Sequence, residues 1–229
     1  MKAMILAAGR GNRMRPLTDH TPKPLLEVGG KPLIVWHLEN LSRAGIQEVV
    51  INHAHLGEQI EKRLGNGSDW GLSITYSAEE TALETAGGIA KALPFFGLEP
   101  FLVVNGDVFI DIECKNLLGA LKPGKLAHLV MVDNPPQHPN GDFVFRNGEL
   151  SLQGEPRLTF SGVAIYHPSL FSQVAPGQVA KLAPLLQEAI SMGLASAEHH
   201  GGIWHDVGTP ERLYELDRQL NDQQSSRLT

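Results

Sequence analysis

The sequence predicts an α/β fold, a Rossmann-like and mainly parallel sheet flanked by helices, and three observations carry that expectation. Short apolar runs alternate with segments of helical spacing through the first half of the chain. The first apolar run leads directly into a glycine-rich turn at Leu6 to Gly11. Beyond Asp133 the pattern changes to short strands separated by turn residues, the mark of a small β insertion.

Taken in order, residues 3–6, 49–52, 73–76, 101–104 and 126–132 read as strands, and 32–44, 57–64, 86–93 and 114–121 as the helices between them. Each strand–helix–strand step forms a βαβ unit, so neighbouring strands are expected to run parallel. Residues 140–145, 149–152 and 158–166 are short strands divided by turns such as Asn147–Gly148, read as a hairpin beside the sheet. Helices return over 182–192 and 210–220, and the polar tail 221–229 is expected to fray. With 229 residues of which 42% are hydrophobic, one domain over 1–220 is the natural division.

Composition excludes several classes. A net charge of −6 and a pI near 5.9 disfavour a nucleic-acid groove. Cys114, the single cysteine, rules out an internal disulfide framework and reads as a buried small residue. The apolar start is too short, and too soon followed by arginines, for a secretory signal, and no run approaches the ~18 apolar residues of a membrane span. A cytoplasmic enzyme is expected.

The stretch Leu6 to Pro24, LAAGRGNRMRPLTDHTPKP, carries the chemistry. Gly9 and Gly11 can adopt positive φ and bring main-chain N–H groups onto an anion, while Arg10, Arg13 and Arg15 add charge-assisted donors. Lys23 stands between Pro22 and Pro24, which fix the local backbone and present one ammonium. A Walker loop is excluded because Met14-Arg15-Pro16 stands where Gly-Lys-Ser/Thr belongs. A dinucleotide fingerprint fails because Met14 occupies its third glycine position, so a nicotinamide-dependent redox enzyme is disfavoured.

This segment resembles the signature of the sugar-1-phosphate nucleotidyltransferases, L-A-A-G-x-G-x-R-[ML]-x-P-L-T-x-x-x-P-K-P, and meets every fixed position. The resemblance implies an enzyme that binds a nucleoside triphosphate and a sugar-1-phosphate. Gly9, Gly11, Asn12 and Arg13 are then expected around the nucleotide, with Arg13 on the leaving phosphates and Lys23 on the α-phosphate as the catalytic cations. Phe101-Leu-Val-Val-Asn-Gly-Asp107 is an apolar strand ending in a carboxylate, where an open α/β sheet collects its ligands. Trp204-His-Asp-Val-Gly-Thr-Pro210 is similar to the family's W-x-D-x-G-T-P segment, so Asp107 and Asp206 are the expected metal ligands. Two oxygen donors without a cysteine or histidine cage suit Mg²⁺.

Glu79-Glu-Thr-Ala-Leu-Glu-Thr-Ala-Gly-Gly88 resembles the family's segment beside the nucleobase, with Glu80 as the base-binding candidate. It departs at Glu84, where many members have glycine. Glu80 can accept from uracil or from guanine, and Glu79 and Glu84 read equally well as a solvated acidic run. For the sugar, the resemblance points to Asn105, Gly141, Asp142 and Glu155, the β insertion forming that side of the cleft. Glu155-Pro156-Arg157 stands where relatives have Glu-Lys-Pro, so Arg157 either replaces the lysine or meets a further acidic group on the sugar. The resemblance, taken with Glu84 and the altered Glu155-Pro156-Arg157 segment, implies a uridylyltransferase, with a guanylyltransferase as the alternative. A noncatalytic nucleotide-binding regulator would need no pair such as Asp107 and Asp206. No hexapeptide repeats, which build a trimer-forming solenoid in many relatives, are present, so a monomer is expected.

Ten histidines invite a zinc reading, but neither His53 and His55 nor His199, His200 and His205 show a supported metal spacing; polar packing near the cleft is expected. Trp36, Trp70 and Trp204 read as core or pocket walls.

Overall fold

The computed structural model describes residues 1–227. Its strands are β1 (Ala3–Leu6), β2 (Glu27–Val28), β3 (Lys31–Pro32), β4 (Glu48–His53), β5 (Ser73–Ala78), β6 (Phe101–Asn105), β7 (Val108–Ile110), β8 (Ala127–Val132), β9 (Phe143–Arg146), β10 (Glu149–Ser151), β11 (Arg157–Tyr166), β12 (Ala195–His199) and β13 (Trp204–Asp206). The helices are α1 (Leu33–Arg43), α2 (Gly57–Leu64), α3 (Glu84–Phe96), α4 (Leu182–Ser191) and α5 (Pro210–Arg227). Nine strands form one sheet in the order β5-β4-β1-β6-β11-β8-β12-β10-β9. None of these helices is long and apolar enough to cross a membrane.

The first four strands of that order are parallel, as βαβ units require, with β1 between β4 and β6. Chain order turns back at β1, which makes its carboxyl end a switch point where a crevice opens. The register fixes what lines it: Leu6 at the end of β1 is flanked by Asn52 on β4 and Asn105 on β6.

The structure departs from expectation once in topology and twice in the extent of an element. Strand β11 does not lie beside the sheet but runs antiparallel through its middle, paired with both β6 and β8, so the sheet is mixed. Only β9 and β10 form an edge hairpin. Alternation reveals a strand but not its partner, and the burial of Val163, Ala164, Ile165 and Tyr166 suits a central strand. Over 114–121 the chain makes a short 3-10 turn, Cys114–Leu117, and Gly119 at a φ of 87° ends it. Helix α5, by contrast, runs past residue 220 to Arg227, and 228–229 lie outside the described residues.

Three apolar clusters hold these layers. Ile34, Val35, Leu38 and Leu41 of α1 recur at helical spacing and pack one face of the sheet with Ile60 and Leu64 of α2. Ala86, Ile89, Ala92 and Phe96 of α3 cover the other, with Leu186, Ala189 and Ile190 of α4. A third cluster is built from the crevice's own loops: Met14, Phe109 and Val207 meet Leu213, Leu216 and Leu220 of α5. The bulk of Met14, which spoils a dinucleotide fingerprint, therefore anchors the glycine loop. Trp36 donates its indole N–H to the Val28 carbonyl, and Trp204 donates to that of Ser161. Burial pushes the Cys114 thiol up to about 12, as for an inert core group.

His37 of α1 is buried, its Nε2 2.8 Å from the Val108 carbonyl oxygen. Burial pushes its pKa down from 6.5 to about 4, against the opposing pull of that carbonyl and of Asp107. Between these values the unfolded chain binds more protons, so stability is full above pH 6.5 and is lost as pH falls towards 4. On going from pH 7 to pH 5 the protein is expected to lose about 2 kcal/mol that a His37→Gln variant does not lose. Urea unfolding of both proteins at the two pH values measures it.

Candidate active site

A cleft of about 1080 Å³ opens at the carboxyl end of β1, lined by residues 6–14, Lys23, Asn52, residues 79–82, Glu84, Thr85, Asn105, Asp107 and Gly208 among others. It gathers Gly9, Gly11, Asn12, Arg13, Lys23, Glu80, Asn105 and Asp107, the candidates drawn from three separate motifs.

The glycine loop is shaped by one left-handed residue. Gly11 has a φ of 65°, and a Cβ there would lie 2.9 Å from the Thr18 methyl, whose hydroxyl donates to the Gly11 carbonyl at 2.8 Å. Gly9 does not enter the left-handed region, contrary to expectation; a Cβ there would meet nothing within 4 Å. Among the described residues, the main-chain N–H groups of residues 9–13 donate to no protein acceptor. Arg10 and Arg13 also have no protein counter-ion, whereas Arg15 is paired with Asp19 at 3.1 Å. Cations and N–H groups left unpaired along one cleft wall can hold a polyanion.

Lys23 is the opposite case. Its side chain is 7% exposed and its Nζ lies 2.7 Å from Asp107 Oδ2, across 84 positions of sequence. Asp107 is joined to the second carboxylate by a pairing absent from the sequence reading: β7 and β13 run antiparallel, placing Asp206 opposite Val108, and Val207 N donates to the Asp107 carbonyl at 3.0 Å. Arg212, in the first turns of α5, donates to Asp206 Oδ2 at 2.7 Å. Among the described residues no group of three or more His, Cys, Asp or Glu is arranged around a metal. Two carboxylates on paired strands are nevertheless the oxygen donors that suit a hard cation taking its other ligands from water and phosphate.

Glu79 proves to be a buried structural group and no part of a solvated run. Asn52 accepts from Ala7 N at 2.8 Å and donates to Glu79 Oε1 at 2.7 Å, while Glu79 Oε2 accepts from Leu83 N at 3.0 Å. This chain of bonds ties the start of the glycine loop to the start of α3. A Cβ on Gly88 would lie 2.7 Å from Glu79 Oε1 and 2.8 Å from Asn52 Nδ2, so the pair needs a glycine behind it. The sequence signal of Asn52 is a polar side chain closing an apolar run at the carboxyl edge of the sheet.

Gly141, Asp142, Glu155 and Asp206 are not among the residues lining the cleft. Asp142 accepts from Phe160 N at 2.7 Å and lies 3.1 Å from His138 Nε2. Arg157 donates to the carbonyls of Asp142 and Leu152, so its guanidinium braces the insertion. Four of the five histidines weighed for zinc have side-chain partners of their own: His53 with Glu61, His199 with Asp133, His200 with Asp111 and His205 with Gln219.

The model of a family described as Nucleotidyl transferase matches residues 2–147. An N-acetylmuramate alpha-1-phosphate uridylyltransferase of Neisseria meningitidis serogroup B is 54% identical over 222 residues, covering 94% of this chain and 96% of that one. A mannose-1-phosphate guanylyltransferase catalytic subunit beta of Drosophila pseudoobscura pseudoobscura is 33% identical over 92% of this chain, which spans 60% of that protein. HddC from Yersinia pseudotuberculosis, complexed with GMP-PN, superposes with a TM-score of 0.79 at 18% identity over 95% of this chain and 98% of that one, a likeness of fold.

Asn52→Leu removes the acceptor for Ala7 N–H and the donor to a buried carboxylate. A loss of about 2–4 kcal/mol of stability is expected, read by urea unfolding.

Proposed function

The chain belongs to the nucleotidyl transferase family, and we propose that it transfers a uridylyl group from UTP to N-acetylmuramate α-1-phosphate, releasing pyrophosphate. The observation that carries this reading is the polarity of one cleft: unpaired Arg10 and Arg13 with free N–H groups on the loop, and the exposed carboxylates Glu80 and Glu84 on the wall beyond β4. A triphosphate is drawn to the first and repelled by the second, so the nucleotide enters in one orientation, with its base towards Glu80.

In the proposed reaction an oxygen of the sugar phosphate attacks the α-phosphorus in line. The new P–O bond forms as the bond to the β-phosphate breaks, and pyrophosphate leaves. The nucleophile is already anionic, so no residue need act as a base, and the protein's work is alignment and charge neutralisation. Arg13 takes the leaving phosphates, and Lys23 stabilises charge growing at the α-phosphate. Asn105, with a donor and an acceptor at the end of β6, orients the sugar phosphate, with Gly141, Asp142 and Glu155 on the sugar side of the insertion. Asp107 and Asp206 would hold Mg²⁺, which supplies further neutralisation between two polyanions. The 54% identical relative supports the choice of uridine and N-acetylmuramate. On this reading the protein is a cytoplasmic monomer that recycles cell-wall sugar, acting on small molecules and on neither nucleic acid nor membrane.

A mannose-1-phosphate guanylyltransferase is the second reading, favoured by the 33% identical relative and by a carboxylate that suits the paired donors of guanine. Pyrophosphate release from UTP, GTP, dTTP and CTP, each with four sugar-1-phosphates, separates the two. Preference for UTP with N-acetylmuramate-1-phosphate is expected; preference for GTP with mannose-1-phosphate contradicts it. In the same assay Lys23→Ala is expected to lower kcat roughly 10²- to 10³-fold with a much smaller change in nucleotide KM. Equal losses in both would remove Lys23 from the transition state.

A further inference from the structure

Among the described residues, three other than glycine have left-handed backbone: Leu56, Glu84 and Asn147. Asn147 sits beside Gly148 in a tight turn, where asparagine is suited to that conformation. Glu84, the first residue of α3, has a φ of 59° and is the one of the three that lines the cleft. Its side chain is exposed, and its carboxylate has no hydrogen-bond or ion-pair partner among the described residues.

The backbone on either side is clamped, which is how a strained residue persists. Leu83 N donates to buried Glu79, Ala180 N donates to the Leu83 carbonyl at 3.0 Å, and Ala86 N and Gly87 N both donate to the Ala180 carbonyl. Glycine would take this conformation without strain. A glutamate there gains no hydrogen bond or ion pair among the described residues in return, and it lines the cleft, where a ligand can answer its charge.

We propose that Glu84 is a specificity residue whose carboxylate accepts a hydrogen bond from the nucleoside, through a ribose hydroxyl or the base N–H. The inference rests on the uridylyltransferase reading. The carboxylate repels phosphate, so the part of the ligand that it meets is an uncharged donor. Glu84 is tied through Leu83 and Glu79 to Asn52 at the end of β4, whereas Asp107 follows β6 and holds Lys23, the cation assigned to the α-phosphate.

Calorimetric titration with Mg²⁺ and no sugar phosphate tests this on the wild type, Glu84→Gly and Glu84→Gln. The nucleotides are UTP, 2′-deoxy-UTP, 3′-deoxy-UTP and 3-methyl-UTP, the last three each lacking one donor. Glu84→Gly is expected to bind UTP about tenfold more weakly, the worth of one hydrogen bond to a charged group. One analogue should bind wild type and variant alike, which names the donor. Glu84→Gln keeps an acceptor oxygen and should fall between. The melting temperature of Glu84→Gly should match or exceed that of the wild type, because strain is released. Unchanged affinity for UTP overturns the proposal, as does an equal loss for all four nucleotides or a lowered melting temperature. A wild type that binds none of them and releases no pyrophosphate overturns the functional reading, and this one with it.

Discussion

A lysine whose side chain is 7% exposed must have a counter-charge, and here the requirement organises the cleft. An ammonium withdrawn from water without a partner is too costly to keep, so Lys23 holds Asp107 at 2.7 Å and the loop after β1 is bound to the end of β6. The rest of the site follows from that link. Asp107 fixes the start of β7, β7 recruits β13, and β13 delivers Asp206. Met14, Phe109 and Val207, neighbours of these three pieces, are packed together beneath them against α5.

The same bond gives the proposed chemistry an economical starting state. Asp107 and Asp206 each hold a cation of the protein, Lys23 and Arg212, so each carboxylate has a counter-charge within the protein itself. On the proposed reading Asp107 and Asp206 would hold a divalent ion, which would supply further charge neutralisation, and the Lys23 ammonium would then be available to phosphate. The asparagines flanking Leu6 play different parts in this plan. Asn52 is consumed by structure, holding Ala7 and Glu79, while Asn105 lines the cleft at the end of β6.

Much of this was legible in the sequence wherever the determinant is local. The parallel strands 3–6, 49–52, 73–76 and 101–104 announce themselves by apolar runs, and the loop from Gly9 to Lys23 by glycine, arginine and proline at fixed spacing. What escaped is non-local. A strand's partner is not written in its own residues, so β11 was placed beside the sheet instead of through it, and the β7–β13 pairing that unites the two aspartates went unseen. Glu79 and Glu84 look alike as letters in an acidic run; only the position of Asn52 behind one and the backbone angle of the other separate a structural anchor from a strained group on the cleft wall. Arg157 was read towards the ligand because a cation near a sugar site invites it, yet two main-chain carbonyls take its guanidinium.

On the proposed reading one polarised cleft orients the nucleotide. A crystal structure with Mg²⁺ and a UTP analogue whose α,β-bridging oxygen is replaced by a methylene tests it most directly. The triphosphate is expected against the N–H groups of residues 9–13 and the side chains of Arg10 and Arg13, the uracil towards Glu80, and Lys23 Nζ moved from Asp107 to the α-phosphate. A nucleotide bound in the reverse sense, or phosphates seated away from Gly9 to Arg13, would contradict it.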